Sequence, residues 1–184
     1  NMSQESLIRI SVRNLVEFIL REGDIDNRKT GVSEKDAMQL GSRIHRKIQR
    51  QMGSNYRAEI PLKLQIPCDG FMLQLEGRAD GIFEKDGQIV IDEIKGVVKE
   101  LEHIKEPVKV HLAQAKCYAY IYALQKEIQV IQVRMTYCHL ETEEIRYFLQ
   151  EYTFEELKGW FEQVLQSYLK WADYEYEWKQ KRNE

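Results

Sequence analysis

The sequence predicts an α/β fold, a mixed β-sheet core flanked by helices. Three observations carry that reading. Apolar residues recur at helical spacing near both ends of the chain, they alternate with polar residues through two central stretches, and a helical pattern separates those stretches. A length of 184 residues suits one domain with a substantial core. With 43% apolar and 31% charged residues the composition is globular rather than disordered.

A first helix is expected from about Gln4 to Leu20, with Leu7, Ile8, Val12, Leu15, Val16 and Ile19 as its apolar stripe. The polar stretch 21–30 reads as a loop. Ser33 and Asp36 resemble a helix start, and the repeat Ala37, Leu40, Ile44, Ile48, Met52 carries a second helix to Gly53-Ser54. Alternation then begins around Ile60, Leu62, Leu64 and Ile66, turns at Pro67-Cys68-Asp69-Gly70 and resumes through Phe71, Leu73 and Leu75 to Phe83. Asp86-Gly87 marks a hairpin, because a two-residue turn needs positive φ at both positions. Gln88–Gly96 is the next strand, and 97–108 is polar and irregular. Val110–Leu124 reads as a helix, with strands following at about 128–138 and 144–152. Thr153 and Glu156 form a capping box that opens a long helix to about Lys181. The whole is expected to be one domain over 1–184, with a helical N-terminal part (about 4–52), a core of three to five strands (about 56–152) and a C-terminal helix (about 154–181).

No run approaches the roughly eighteen uninterrupted apolar residues of a membrane span. Asn1-Met2-Ser3-Gln4-Glu5 lacks the basic and apolar regions of a signal peptide, so none is expected. Asn1 ahead of Met2 is read as a remnant of expression, and the chain as an excised domain. Cys68, Cys117 and Cys138 are scattered and form no Cys-x-x-Cys pair, which suits reduced thiols in a cytoplasmic protein. Three thiols also cannot supply a four-cysteine iron–sulfur cluster. The net charge of −3 is not the basic balance usual for a nucleic-acid-binding domain. Locally the balance reverses: from Gly41 to Ala58 there is no acid, while Arg43, Arg46, Lys47, Arg50 and Arg57 supply positive charge that can steer phosphate.

The segments Gly77-Arg78-Ala79-Asp80-Gly81 and Ile91-Asp92-Glu93-Ile94-Lys95-Gly96 carry the chemistry. Period two places Ile89, Ile91, Glu93 and Lys95 on one face of their strand and Val90, Asp92 and Ile94 on the other. Pairing through the Asp86-Gly87 hairpin brings Asp80 to the same end of the sheet. Two converging carboxylates repel unless a cation lies between them, and hard oxygen donors select Mg²⁺ or Mn²⁺. Lys95, two residues beyond Glu93, can offset developing negative charge. Taken alone, Glu93 and Lys95 are equally a solvent-facing pair on an edge strand, and His45 an ordinary helix residue.

Four motifs in order, Gly41 to His45, Gly77 to Gly81, Ile91 to Gly96 and Gln114 to Tyr118, resemble the PD-(D/E)XK nuclease superfamily, and within it the RecB-type branch that includes CRISPR-associated exonucleases and nuclease modules attached to helicases. The resemblance implies a restriction-endonuclease-like fold and a metal-dependent deoxyribonuclease, preferentially an exonuclease on single-stranded DNA ends, using Mg²⁺ or Mn²⁺. It implies His45, Asp80, Glu93 and the carbonyl of Ile94 as metal ligands, with Gly41 allowing close helix approach. Asp80, Glu93, Lys95, Gln114 and Tyr118 become the catalytic group, the last two supporting the lysine or touching the DNA backbone. Arg43, Arg46, Lys47, Arg50, Arg78 and His111 become contacts to nucleic acid, and Glu59 a further acid near the site. The absence of a four-cysteine pattern implies the cluster-free form. DNA is the implied partner, with a fused or associated helicase. The rival reading is a catalytically silent DNA-binding module, in which the basic tract would matter more than the two acids.

Overall fold

The computed structural model describes residues 6–20 and 34–183, with side chains for 6–20 and 41–172. In chain order the elements are β1 (Ser6–Ser11), α1 (Val12–Ile19), α2 (Glu34–Gln51), β2 (Arg57–Cys68), β3 (Phe71–Lys85), β4 (Gln88–Val97), α3 (Lys109–Lys126), β5 (Val130–His139), β6 (Ile145–Thr153) and α4 (Phe154–Asn183). The polar stretch after β4 contains one short 3₁₀ turn, Leu101–His103.

The first expected element divides in two. Ser6–Ser11 is a strand, paired in parallel with Phe71–Glu76 of β3. The helix starts at Val12, where Ser11 accepts a hydrogen bond from the Asn14 N–H at 3.0 Å. Ile8 and Ile10 fit a pleated surface, and the edge of β3 gives their backbone a ladder that helical spacing in sequence does not reveal. The sheet therefore has six strands rather than three to five. Expected features at 21–33 lie outside the described residues.

The remaining elements follow the periodicities closely. Asp86 and Gly87 take φ of 52° and 78° between β3 and β4, as a two-residue hairpin turn requires. Thr153 and Glu156 exchange side-chain-to-backbone hydrogen bonds at the start of α4. Strands run in the order β1-β3-β4-β5-β6, and β2 pairs with β3 along its other edge. The β4–β5 and β1–β3 pairs are parallel and the rest antiparallel, giving a mixed sheet.

The sheet has two unequal covers. Leu73, Leu75, Ile82 and Ile91 join residues of α1, α3 and α4 in the main core, which is buried from water and supplies most of the apolar driving force. On the other face Ile94 and Cys138 pack with Ile44 and Ile48 of α2 in a small cluster. β4 thus shows one face to each layer, Ile91 to the first and Ile94 to the second. Among the described residues no helix is long and apolar enough to cross a membrane.

Candidate active site

The site lies where the sheet opens. β2 follows one edge of β3, but the opposite edge is shared: β1 takes Phe71–Glu76 and β4 takes Gly81–Lys85. Gly77–Asp80 fall between the two. Asp80 fills the gap with its side chain, Oδ2 accepting a hydrogen bond from the Ile94 N–H at 2.7 Å just beyond the last β3–β4 pair, Gly81 with Asp92. That bond holds Asp80 beside the stretch of β4 bearing Glu93 and Lys95.

Glu93 is 2% exposed, and its Oε2 has no hydrogen-bond partner. Its Oε1 lies 3.8 Å from Lys95 Nζ. Burial, and next the charge of Asp80, push the Glu93 pKa well above the ordinary carboxylate range, with Lys95 opposing them. A buried carboxylate oxygen without a protein donor is costly, and in native proteins such a group is completed by water, an ion or a ligand.

Lys95 is aimed by a chain of contacts from α3. Its Nζ donates to Gln114 Oε1 at 3.1 Å, and Gln114 Nε2 donates to the Tyr118 hydroxyl at 3.2 Å. Gln114 and Tyr118 are one helical turn apart and so reach the same side. The Tyr118 ring lies against Gly77, where a Cβ would come within 2.8 Å of Cε1. The glycine therefore admits the tyrosine, the tyrosine orients the glutamine, and the glutamine turns its oxygen to the lysine. Of the neighbouring tyrosines, Tyr120 stacks on Phe154 and Phe161 in the core, while Tyr122 accepts from Arg57.

From α2, His45 Nδ1 approaches Asp80 Oδ1 at 3.7 Å. One turn later Gln49 Nε2 donates to the Asp80 carbonyl at 2.8 Å and to Glu59 Oε1 at 2.9 Å. Glu59 stands opposite Asp80 on β2 with φ 56°, a left-handed conformation unusual for this residue type. Nothing lies within 4 Å of where a Cβ would sit at Gly41, so no close helix approach among the described residues explains that glycine.

Among the described residues no three His, Cys, Asp or Glu side chains form a ready-made metal-binding group. The donor set nevertheless fits a hard divalent ion. Glu93 keeps one unpartnered carboxylate oxygen and feels the charge of Asp80, and Mg²⁺ commonly takes one or two carboxylates and keeps several waters. His45, near Asp80, offers an imidazole nitrogen on the same side.

The expected nucleic-acid contacts divide. Arg43, Arg46 and Arg50 are exposed on α2. Lys47 is tied to Glu143 at 2.7 Å, and exposed Arg78 lies 4.0 Å from Glu59. His111 is half-buried. Its Nδ1 is 3.0 Å from the Tyr137 hydroxyl, and burial, with Lys95 next, pushes its pKa down to about 4. That shift favours the neutral imidazole, which offers phosphate a hydrogen bond rather than a charge.

Sequence reading missed Gln49 and the role of a third buried acid. Asp92, wholly buried behind Glu93, accepts from Tyr56 at 2.6 Å, from Thr136 at 2.5 Å, and from Arg134 at 3.0 and 3.1 Å. The available signal was its place between Val90 and Ile94 on a buried strand face, where a carboxylate must find donors. Those donors lie on other elements, so spacing could not name them.

Comparison with known proteins bears on the fold and the family of the chain. The crystal structure of SSO0001 is similar to this chain with a TM-score of 0.57 at 17% identity, covering 90% of this chain and 78% of that one, a likeness of fold. No curated protein matches the sequence. The model of the PD-(D/E)XK nuclease superfamily matches residues 10–183, nearly the whole chain. The chain belongs to the PD-(D/E)XK nuclease superfamily.

Proposed function

We propose that the chain is a single-domain, divalent-metal-dependent DNA nuclease of the RecB-like type, acting as an exonuclease on single-stranded DNA ends. The observation that carries the reading is the Glu93 carboxylate, buried with one oxygen unpartnered, beside Asp80 and next to a lysine held in place by Gln114. A domain that served only as a scaffold would gain stability by replacing such a group. The superfamily supplies the metal-dependent nuclease class; the substrate end, DNA repair as its setting and a helicase partner extend it.

Asp80, Glu93 and the Ile94 carbonyl would hold Mg²⁺ or Mn²⁺, with His45 beside Asp80. When bound, such an ion polarises the phosphodiester and makes water a better nucleophile at neutral pH. The chain's own groups do the rest. Lys95, fixed through Gln114 and Tyr118, presents its ammonium where the attacking water and scissile phosphate would meet and offsets the charge that develops there. Asp80 holds the end of β4 through the Ile94 N–H, keeping Glu93 and Lys95 in register with β3. Arg43, Arg46 and Arg50, outward on α2, supply positive charge along the approach of the DNA backbone.

The test is cleavage of end-labelled single-stranded and duplex DNA with Mn²⁺, Mg²⁺ or EDTA. The parent is expected to cut only with metal, releasing products from an end of single-stranded DNA. Lys95→Ala and Asp80→Ala are each expected to remain folded and lose on the order of 10²–10³ in rate. DNA binding with no cleavage in either metal would favour the silent module instead.

A further inference from the structure

Two tyrosines meet the Gly-Arg-Ala-Asp-Gly segment from opposite sides, and the superfamily reading uses only one of them. Tyr118 is seated over Gly77 and reaches Lys95 through Gln114. Tyr56, which follows α2, is seated over Gly81: a Cβ there would come within 1.9 Å of the tyrosine's Cζ and hydroxyl oxygen. Its hydroxyl then donates to Asp92 Oδ2 at 2.6 Å. Gly81 is the residue after Asp80, and Asp92 is the residue before Glu93. Gly81 and Asp92 are also directly paired, the last pair before β3 and β4 separate. A single side chain therefore spans the residues adjoining both carboxylates at the point where the ladder ends.

We propose that Tyr56 is a positioning residue that sets the separation of Asp80 and Glu93, with Asp92, Arg134 and Thr136 as its anchor. The inference rests on the metal site proposed above. Beyond Gly81 and Asp92 the strands no longer share ladder bonds, so the spacing of the two acids depends on the bond from the Ile94 N–H to Asp80 and on what holds the final pair. From the side of β5, Arg134 grips Asp92 through two N–H groups, a bidentate geometry that fixes orientation as well as distance, and Thr136 adds a third donor. Arg134 is itself held between rings, 4.6 Å from the centroid of Phe83 and 4.4 Å from that of Tyr147. Phe83 stacks on Tyr56 at 5.7 Å, which closes the circuit back to the tyrosine. Each acid of the site thus has an adjoining residue fixed from the α2 face, and Glu93 Oε2 keeps no partner of its own. Groups that orient metal ligands without touching the ion commonly change metal affinity or activity by 10–100-fold when removed.

The experiment is Mn²⁺ titration of the metal-free protein by calorimetry, with thermal melting and the kcat and KM of DNA cleavage measured in parallel. Parent, Tyr56→Phe and Thr136→Val are compared with Val164→Ala, a core change on α4 remote from the site. Tyr56→Phe keeps the ring over Gly81 and loses only the hydroxyl. It is expected to weaken Mn²⁺ binding at least tenfold and lower kcat, with KM for DNA unchanged, while Val164→Ala lowers the melting temperature and leaves Mn²⁺ affinity at the parental value. Thr136→Val is expected to move affinity in the same direction, and reads the same anchor should Tyr56→Phe not fold. Parental Mn²⁺ affinity and kcat in folded Tyr56→Phe would overturn the inference, as would an equal loss of affinity in Val164→Ala. A parent that neither binds Mn²⁺ nor cuts DNA would instead overturn the metal site on which the inference rests.

Discussion

Asp92 and Glu93 are neighbours on β4, both at most 2% exposed, and they point to opposite faces of the sheet. Toward α2, Asp92 receives four hydrogen bonds from three side chains, one of them a guanidinium, so both of its oxygens are satisfied. Toward α3, Glu93 has one oxygen near Lys95 and the other with no donor, and the charge of Asp80 acts on it. Burial is therefore not what separates a structural acid from the one proposed to hold a metal. What separates them is whether the protein itself completes the coordination. A satisfied buried acid holds the fold, and an unsatisfied one raises the energy of the folded protein until something binds it.

The largest effect is expected from the satisfied acid. Asp92→Ala leaves the half-buried Arg134 without its counter-charge and the Tyr56 and Thr136 hydroxyls unpaired, and should cost on the order of 3–5 kcal/mol in urea denaturation. A loss below about 1 kcal/mol would mean that the network is dispensable and would erase the contrast with Glu93.

The same contrast marks how far the sequence could be read. Period two placed Glu93 and Lys95 on one strand face and Asp92 on the other, and the Asp86-Gly87 turn brought Asp80 alongside. These depend on local spacing, and the structure has Asp80 bonded to the Ile94 N–H. The strand Ser6–Ser11 was not legible, because its conformation depends on a free edge of β3 more than sixty residues away in sequence. The Asp92 network was equally hidden, since Tyr56, Arg134 and Thr136 converge only through the sheet register. Glycine roles divided similarly: Gly77 and Gly81 each admit a tyrosine, a fact of packing that sequence marks only as two glycines around an acid. His111 shared a helix face with Gln114, yet the hydroxyl it bonds belongs to β5.

His111 provides a smaller, third case of a buried titratable group. With its folded pKa near 4 against about 6.5 for an unperturbed histidine, the unfolded chain takes up the proton first as pH falls. Its stabilising contribution is complete above about 6.5 and declines as pH drops through about 4. His111→Gln should flatten that acid-side decline in urea denaturation between pH 7 and pH 4.5. An unchanged slope would show that the residue is not held neutral.

For Glu93 the sign is reversed. Its raised pKa lets the folded protein keep the proton when the unfolded chain would release it, so the associated stability is full below the ordinary carboxylate pKa, about 4.3, and is lost as pH rises through the raised value. The most direct measurement is therefore a paired one on Glu93→Gln: Mn²⁺ titration by calorimetry, and thermal melting of the metal-free protein at pH 4 and pH 8. The account expects the variant to lose Mn²⁺ binding and to melt above the metal-free parent at pH 8, with the gain shrinking at pH 4. Parental Mn²⁺ affinity in a folded Glu93→Gln, together with unchanged melting at pH 8, would contradict the claim that this carboxylate is left unsatisfied for a metal ion.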